Sequence, residues 1–270
     1  MILRLATWNI NSVRLRLPLV QRFVAEYRPD VLCLQETKCP NEFFPRAELA
    51  ELGLPHADLH GEKGYNGVAV LSRVPIARVF AEDLDASGHT RHLAVRLDAP
   101  GVQPVLHNFY VPAGGDIPDP EANPKFRQKL DYLRAMRRWL ERPEMAANGP
   151  MILTGDLNVA PLETDVWSHK QMLKVVSHTP VEVDHLTQVQ NTQPWVDAVR
   201  RFIPAEEKLY TWWSYRARDW RASDRGRRLD HIWTSPDLEE RAKGVKVVKD
   251  ARGWEKPSDH VPVILDIDLG

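Results

Sequence analysis

The sequence is poor in the features that most quickly assign a chain to a class. It has two cysteines, Cys33 and Cys39, in 270 residues. Two thiols build no disulfide framework, and their spacing matches no zinc site. Cys33 lies inside an apolar strand pattern and reads as a small core residue. Acidic and basic residues nearly cancel, 37 against 36, for a formal net charge of −1. No global field therefore draws the chain toward nucleic acid or a membrane, and any such attraction has to be local. No apolar run approaches the ~20 residues that span a bilayer. Met1-Ile-Leu-Arg-Leu5 is interrupted by charge too early for a signal peptide. Linkers, low-complexity segments and convincing repeats are missing as well. Together these absences predict one soluble α/β domain over residues 1–270, monomeric, cytoplasmic and without membrane contact.

What is present centres on Met151-Ile-Leu-Thr-Gly-Asp-Leu-Asn-Val-Ala-Pro161. A brief apolar run after Gly149-Pro150 predicts a fully buried strand that ends by presenting Asp156 and Asn158. Residues two apart on an extended backbone point to one side, so this carboxylate and this amide share a pocket. Gly155 permits close backbone approach, and Pro161 stops the strand.

Other strands end the same way. Ile2–Asn9 and Val31–Gln35 read as buried strands delivering Asn9 and Glu36, with a helix between them capped by Ser12 and carrying Leu17, Val20, Val24 and Tyr27. Residues 67–72, 76–82, 92–97 and 105–110 follow as consecutive strands, which favours antiparallel sheet over simple βαβ winding. The last of them delivers Tyr110. A stripe of Phe126, Leu130, Leu133, Met136 and Leu140 predicts a helix over 125–142. Thr179-Pro-Val-Glu182 is a capping box that starts another. Short helices are expected over 45–52 and 195–202, strands over 210–216 and 229–234, and a final strand over 261–268 after the Lys256-Pro-Ser-Asp-His260 loop. The expected architecture is two packed mixed β-sheets flanked by helices.

Asn9, Glu36, Tyr110, Asp156, Asn158, Asp230, Asp259 and His260 thus lie at the ends of apolar runs. Packed layers gather such ends at one edge, where sites are built. Carboxylates and amides without a Cys/His cluster favour Mg²⁺, with Mn²⁺ as a substitute, over zinc. Glu36 is the leading ligand candidate, with Asp259 assisting, because Mg²⁺ takes only one or two carboxylates and keeps several waters. His260 serves as a general base or as a phosphate-stabilising cation, oriented by Asp230; His231, next along the strand, faces away. Asp156 aligns or activates water, while Tyr110 and Asn158 bind phosphate oxygens. The implied reaction is metal-assisted hydrolysis of a phosphoester.

A second feature points to the substrate. Lys208, Arg216, Arg218, Arg221, Arg225, Arg227 and Arg228 interleave with Tyr210, Trp212, Trp213, Tyr215 and Trp220. Cations grip phosphates and exposed aromatics stack on bases or wedge between them. Alternation puts one of Trp212 and Trp213 in the core.

At these residues the chain resembles exonuclease III, the bacterial apurinic/apyrimidinic endonuclease family of the endonuclease/exonuclease/phosphatase superfamily. Thr7-Trp-Asn-Ile-Asn11, Leu34-Gln-Glu-Thr-Lys38, Gly155-Asp-Leu-Asn158, Arg228-Leu-Asp230 and Lys256-Pro-Ser-Asp-His260 carry the resemblance in that order. It implies a four-layered α/β sandwich that cuts double-stranded DNA 5′ to abasic sites and trims or unblocks 3′ ends. By position it implies a metal site of Glu36, Asn9 and Asp259 with Asp156 and Asn158 close by. The catalytic set becomes Tyr110, Asp156, Asn158, Asp230 and His260, with Asp156 and His260 handling protons. The expected DNA contacts are Arg91, Lys125, Trp212, Arg216, Arg227 and Arg228, with Trp212 at the pocket for the extruded abasic sugar. Two positions depart from the family pattern: Ala113 stands where an amide usually contacts DNA, and Arg227 where a bulky apolar residue lines the abasic pocket. Both bear on abasic-site preference and leave the phosphodiester chemistry intact. The competing readings are a phosphoesterase for inositol phosphates or lipid head groups, a 3′→5′ exonuclease without abasic preference, and a DNA-binding module that has lost catalysis.

Overall fold

A computed structural model describes residues 1–270, the Ala146 side chain excepted. Its strands in chain order are β1 (Ile2–Asn9), β2 (Val31–Gln35), β3 (His56–His60), β4 (Val68–Ser72), β5 (Ile76–Phe80), β6 (His92–Leu97), β7 (Val105–Tyr110) and β8 (Met151–Asp156). They continue with β9 (Val196–Asp197), β10 (Trp212–Trp213), β11 (Gly226–Arg227), β12 (Asp230–Thr234), β13 (Ala242–Val247) and β14 (Val263–Asp268). Two six-stranded sheets form, in the orders β13-β14-β1-β2-β4-β3 and β5-β6-β7-β8-β12-β9. Both are mixed, as expected. Each is built on one parallel pair, β1–β2 in the first and β7–β8 in the second, with antiparallel strands outside it.

The period-2 alternation of the strands explains the layering. Leu3, Leu5, Val31, Cys33, Val68 and Val70 of the first sheet share one core with Leu93, Val95, Leu106, Ile152 and Ile232 of the second. The opposite face of the first sheet, with Trp8, Leu32, Leu34 and Leu71, packs on Val20, Phe23 and Val24 of the Leu17–Tyr27 helix. Val105, Phe109 and Leu153 of the second pack on Tyr132, Leu133, Met136 and Leu140 of the Pro124–Leu140 helix and on Leu186 and Val189 of the Pro180–Gln190 helix. Strands covered on both faces read as near-continuous apolar runs, which is why they stand out in the sequence.

This topology gathers the candidate site residues. Parallel strands end at the same edge, so Asn9 and Glu36 emerge together from β1 and β2, and Tyr110 and Asp156 from β7 and β8. The antiparallel neighbours start at that edge: β12 at Asp230, and β14 just after Asp259-His260. Gly155 has φ +135°, and a Cβ there would lie 1.9 Å from the Phe109 carbonyl oxygen, so the close approach of β7 and β8 requires glycine.

Several expectations are corrected. Residues 195–202 hold β9 and turns in place of a helix, because Val196 and Asp197 pair with Thr234 and Trp233 at the edge of the second sheet. The Leu17–Tyr27 helix is preceded by Arg16 and receives no side-chain cap; Ser12 instead accepts the Arg16 N–H through its backbone carbonyl. The strand over 210–216 contracts to Trp212–Trp213. β3 and β13 are additions the sequence pattern did not disclose: β3 is an edge strand with one buried residue, Leu59, and β13 an edge strand lined with lysines. The Thr179 capping box forms as expected, Glu182 N donating to Thr179 Oγ1 at 3.4 Å and Thr179 N to Glu182 Oε2 at 3.1 Å.

Candidate active site

The site begins under the surface, where the two sheets are tied together. Gln35 Nε2 donates to Thr7 Oγ1 at 2.9 Å and to Asn108 Oδ1 at 2.7 Å, and Asn108 Nδ2 donates to the Leu34 and Ala69 carbonyls, both at 3.0 Å. The three bonds made with Asn108 cross from one sheet to the other and fix the register of the strand ends just above them. Beyond the ends the chain turns through left-handed conformations at non-glycine residues: Asn11 (φ 47°), Glu36 (φ 49°), Lys38 (φ 49°) and Asn158 (φ 54°). Such strain persists where surrounding contacts over-determine the backbone, as at binding and catalytic sites.

Asn9 joins the two halves. Its amide donates to Glu36 Oε1 and to Asp156 Oδ2, each at 2.9 Å. Tyr110 Oη donates to the same Glu36 oxygen at 2.8 Å, and Lys38 Nζ lies 2.9 Å from Oε2. Burial works against the Glu36 carboxylate, but the Lys38 ammonium and the Asn9 and Tyr110 donors outweigh it and hold its pKa below the usual value. Burial and the Glu36 and Asp156 charges push the Tyr110 phenol far up, so it remains a donor. Asp156 is fully buried and accepts from Asn158 twice, from the backbone N–H at 3.0 Å and from the side chain at 3.1 Å. Burial pushes its pKa up to about 7; His260 opposes the shift, and Asp230 reinforces it.

His260 stands between two carboxylates, Nδ1 at 2.8 Å from Asp230 Oδ2 and Nε2 at 3.6 Å from Asp156 Oδ2. Burial alone would keep the ring neutral, but Asp230 and Asp156 overcome it and raise its pKa to about 10. Both acids thus favour the protonated ring, whose Nε2 faces Asp156, an arrangement that suits the phosphate-stabilising role of the two expected for it. His231 faces away, with Nε2 on the Val159 carbonyl at 2.9 Å.

A cleft of about 710 Å³ opens over these groups, lined by Glu36, Asp156, Asn158, Asp259 and His260 on the polar side and by Trp167, Met172, Val176, Trp212 and Leu229 on the apolar side. Trp212 Nε1 donates to Asp259 Oδ2 at 2.9 Å, and Asn11 Nδ2 to Oδ1 at 3.2 Å. Trp213 is the core member of the tryptophan pair, 1 % exposed. Arg227 lies over the Trp212 ring, 4.9 Å from its centroid, with Nη1 donating to the Val176 carbonyl at 2.9 Å and to Ser177 Oγ at 3.0 Å.

The expected catalytic residues Tyr110, Asp156, Asn158, Asp230 and His260 therefore converge, and Asn9, Glu36 and Asp259 join them. Of the expected DNA contacts, Lys125 and Arg216 are exposed, and Arg216, Arg227 and Trp212 line the cleft. Arg228 is a correction: it is completely buried, paired with Asp197 and 3.6 Å from Asp165, and has no surface to offer DNA. Arg91 is buried too, its guanidinium over the Tyr110 ring at 4.8 Å, so it supports the tyrosine in place of gripping a phosphate. Sequence reasoning passed over Lys38 and Asn11, which sit two residues beyond Glu36 and Asn9, and the inter-sheet pair Gln35–Asn108. The two-residue spacing that linked Asp156 to Asn158 is the signal that marks the first two; nothing local marks Asn108.

Two groupings are candidates for a cation. Asp156, Asp230 and His260 place one ligand atom each within 4.8 Å of one another. There the imidazole is already held between two carboxylates, and a cation would have to displace its proton. Glu36 fits a hard ion better: its carboxylate borders the open cleft, its Oε2 already carries a cationic ammonium, and a carboxylate oxygen suits Mg²⁺.

The endonuclease/exonuclease/phosphatase family matches over residues 6–260. The exodeoxyribonuclease III of Haemophilus influenzae is 30 % identical over 270 residues, covering 97 % of this chain and 98 % of that one. An AP endonuclease structure from Archaeoglobus fulgidus superposes with a TM-score of 0.89 at 31 % identity, covering 98 % of this chain and 99 % of that one. The 3′ phosphatase NExo from Neisseria, solved bound to a product DNA hairpin, superposes with a TM-score of 0.88 at 31 % identity, covering 98 % of this chain and 99 % of that one.

Proposed function

The chain belongs to the endonuclease/exonuclease/phosphatase family, and on that premise we propose that it is a Mg²⁺-dependent DNA-repair phosphodiesterase acting on double-stranded DNA at abasic sites and at 3′ ends. The observation that carries this reading is the Asn9 bridge, which holds a low-pKa carboxylate, Glu36, beside a raised one, Asp156. Two carboxylates whose environments drive them apart are suited to different tasks, one to hold a cation and one to handle a proton. The buried thiols of Cys33 and Cys39 suit a reducing, cytoplasmic setting. The relatives named an exodeoxyribonuclease, an AP endonuclease and a 3′ phosphatase share one leaving group, the 3′ oxygen, and support the substrate class.

Bound at Glu36, Mg²⁺ would supply positive charge to the phosphate oxygens and to the departing 3′ oxygen. The protein does the rest. Asp156 aligns a water in line with the 3′ oxygen and takes its proton as the new P–O bond forms and the bond from phosphorus to the 3′ oxygen breaks, the 3′ oxygen taking a proton from solvent. The His260 Nε2–H donates to a non-bridging oxygen, where charge builds up in the transition state, and the Asn158 amide and the Tyr110 hydroxyl join it by exchanging their bonds to Asp156 and Glu36 for the phosphate. Asp230 keeps His260 charged and turned. Exposed Arg216, Arg225 and Lys125 grip the flanking backbone.

Arg227 favours 3′-end processing over abasic cleavage within this activity. Its guanidinium occupies the wall against Trp212 and is tied to Val176 and Ser177, so it fills space where an abasic sugar would enter. An end-labelled duplex with one internal abasic-site analogue, run beside one with a recessed 3′ end, with Mg²⁺ and with chelator, tests both levels. Metal-dependent shortening of the 3′ end, with weaker nicking at the analogue, is the expected result. Cleavage of neither duplex would remove the nuclease reading and bring the inositol phosphates into consideration.

A further inference from the structure

Lys129 sits on the apolar stripe of the Pro124–Leu140 helix, between Phe126 and Leu133, and is completely buried, as is Glu182 opposite it on the Pro180–Gln190 helix. A buried ion pair is costly unless every remaining donor and acceptor is satisfied, and this one is. The Lys129 ammonium has three hydrogens and three acceptors: a Glu182 carboxylate oxygen, the Asn158 carbonyl at 2.6 Å and the Ala113 carbonyl at 3.4 Å. Glu182 in turn accepts from Ser177 N at 2.9 Å, from Thr179 N at 3.1 Å and from Thr179 Oγ1 at 2.7 Å.

Three of these partners, Ala113, Asn158 and Ser177, line the cleft. Asn158 carries the amide aimed at Asp156 and is held in a left-handed conformation (φ 54°). Ser177, also left-handed (φ 89°), accepts from Arg227 and, through its carbonyl, receives Ala160 N at 2.7 Å. The Ala113–Gly115 turn follows Tyr110, and at Gly114 a Cβ would come within 2.9 Å of Lys129 Cδ, so the turn is shaped around the lysine stem. Three separate chain segments of the cleft wall therefore meet at one buried ion pair.

We infer that the Lys129–Glu182 pair is a positioning device for the phosphate-binding wall: Lys129, through the Asn158 carbonyl, sets the aim of the Asn158 amide, and Glu182 sets the Ser177 segment that anchors Arg227. The inference rests on the nuclease reading for its kinetic arm only. Lys129 does not touch the substrate; it acts through Asn158, and its removal lowers turnover without weakening attachment to DNA.

The test compares Glu182→Gln with the doubly neutral Lys129→Met/Glu182→Gln, which leaves no unpaired charge in the interior and so keeps a foldable chain. Thermal unfolding checks that both variants fold. On a recessed 3′ end at saturating Mg²⁺, the double variant is expected to lose about tenfold to a hundredfold in kcat, with KM within about threefold of the parent. Glu182→Gln, which keeps the Lys129 amino group, charged or neutral, as a donor to the Asn158 carbonyl, should retain most of the turnover. Amide hydrogen exchange over residues 157–159 needs no substrate and tests the inference even if the parent cuts nothing: it should accelerate in the double variant and not in Glu182→Gln. Parental kcat and parental exchange in the double variant, or equal losses in both variants, would overturn the role assigned to Lys129. An inactive parent would instead remove the nuclease reading.

Discussion

Asp156 and Asp230 are direct partners across the antiparallel pair β8–β12, and His260 touches both of them. Two like charges directly opposite each other on adjacent strands destabilise a sheet. Here the imidazolium between them offsets that repulsion, and the same arrangement keeps the ring charged and its Nε2–H turned toward the cleft.

The first prediction is a pH dependence of stability. Folding raises the His260 pKa from 6.5 to about 10, so the native state holds a proton that the unfolded chain releases. The stabilisation is fully present below pH 6.5 and is lost as pH rises through about 10. Asp156, raised to about 7, acts in the same direction at lower pH. Replacing Asp230 with Asn removes the main charge that holds the histidine proton. Denaturant unfolding across this range should show a flatter decline in the Asp230→Asn variant than in the parent. Parallel curves would mean that His260 is not held protonated by Asp230.

Glu36→Ala should abolish calorimetrically detectable Mg²⁺ binding while leaving the fold in place, because Glu36 borders the open cleft and already carries a cation on its Oε2. Asp259→Ala should weaken the same binding less, since its oxygens are engaged by Trp212 and Asn11. An unchanged titration in Glu36→Ala would remove it from the metal site and return attention to the buried Asp156–Asp230–His260 cluster.

Arg227→Leu should raise abasic-site nicking relative to 3′-end shortening, by about tenfold if the arginine is the main obstruction. Removing it frees the Trp212 face and releases Val176 and Ser177. Both rates are read from the same pair of labelled duplexes. An unchanged ratio would place the discrimination elsewhere, with Ala113 the next position to alter.

Arg228→Met should behave quite differently from Arg227→Leu although the two are neighbours. It removes the ion-pair partner of Asp197, which keeps only the Val199 and Arg200 N–H donors, and loosens the Asp165 network, a loss of about 3 kcal/mol in a chain whose DNA contacts are untouched. Unfolding midpoint and DNA affinity, measured together, distinguish the cases: a large fall in affinity at unchanged stability would restore Arg228 to the DNA surface.

That neighbouring pair also shows where sequence reading stops. The strands, the Pro124–Leu140 and Pro180–Gln190 helices and the convergence of Asn9, Glu36, Tyr110, Asp156, Asp230 and His260 were legible, because buried strands announce themselves as apolar runs and these runs were bounded by polar residues. Topology then did the gathering: the ends of a parallel pair and the starts of its antiparallel neighbours share an edge. Arg227 and Arg228 look alike in a basic segment, and alternation alone could not say which faced solvent. That depends on Asp165 and Asp197, distant residues supplied by a different loop and an edge strand. Edge strands β3 and β13 were missed for a related reason, since a strand paired on one side has weaker apolar demands. The turn over 195–202 has helix-like apolar spacing, but pairing with β12 overrides it.

The central claim is that Asp156 handles the proton and does not attach the DNA. The most direct measurement is single-turnover cleavage of a recessed 3′ end at saturating Mg²⁺ by Asp156→Asn, with DNA affinity measured on the same protein. The substitution keeps the shape and one acceptor for Asn9 and Asn158, and it deletes the carboxylate. The account predicts a rate lower by about a thousandfold or more with affinity unchanged. Cleavage at a comparable rate by the variant would contradict it.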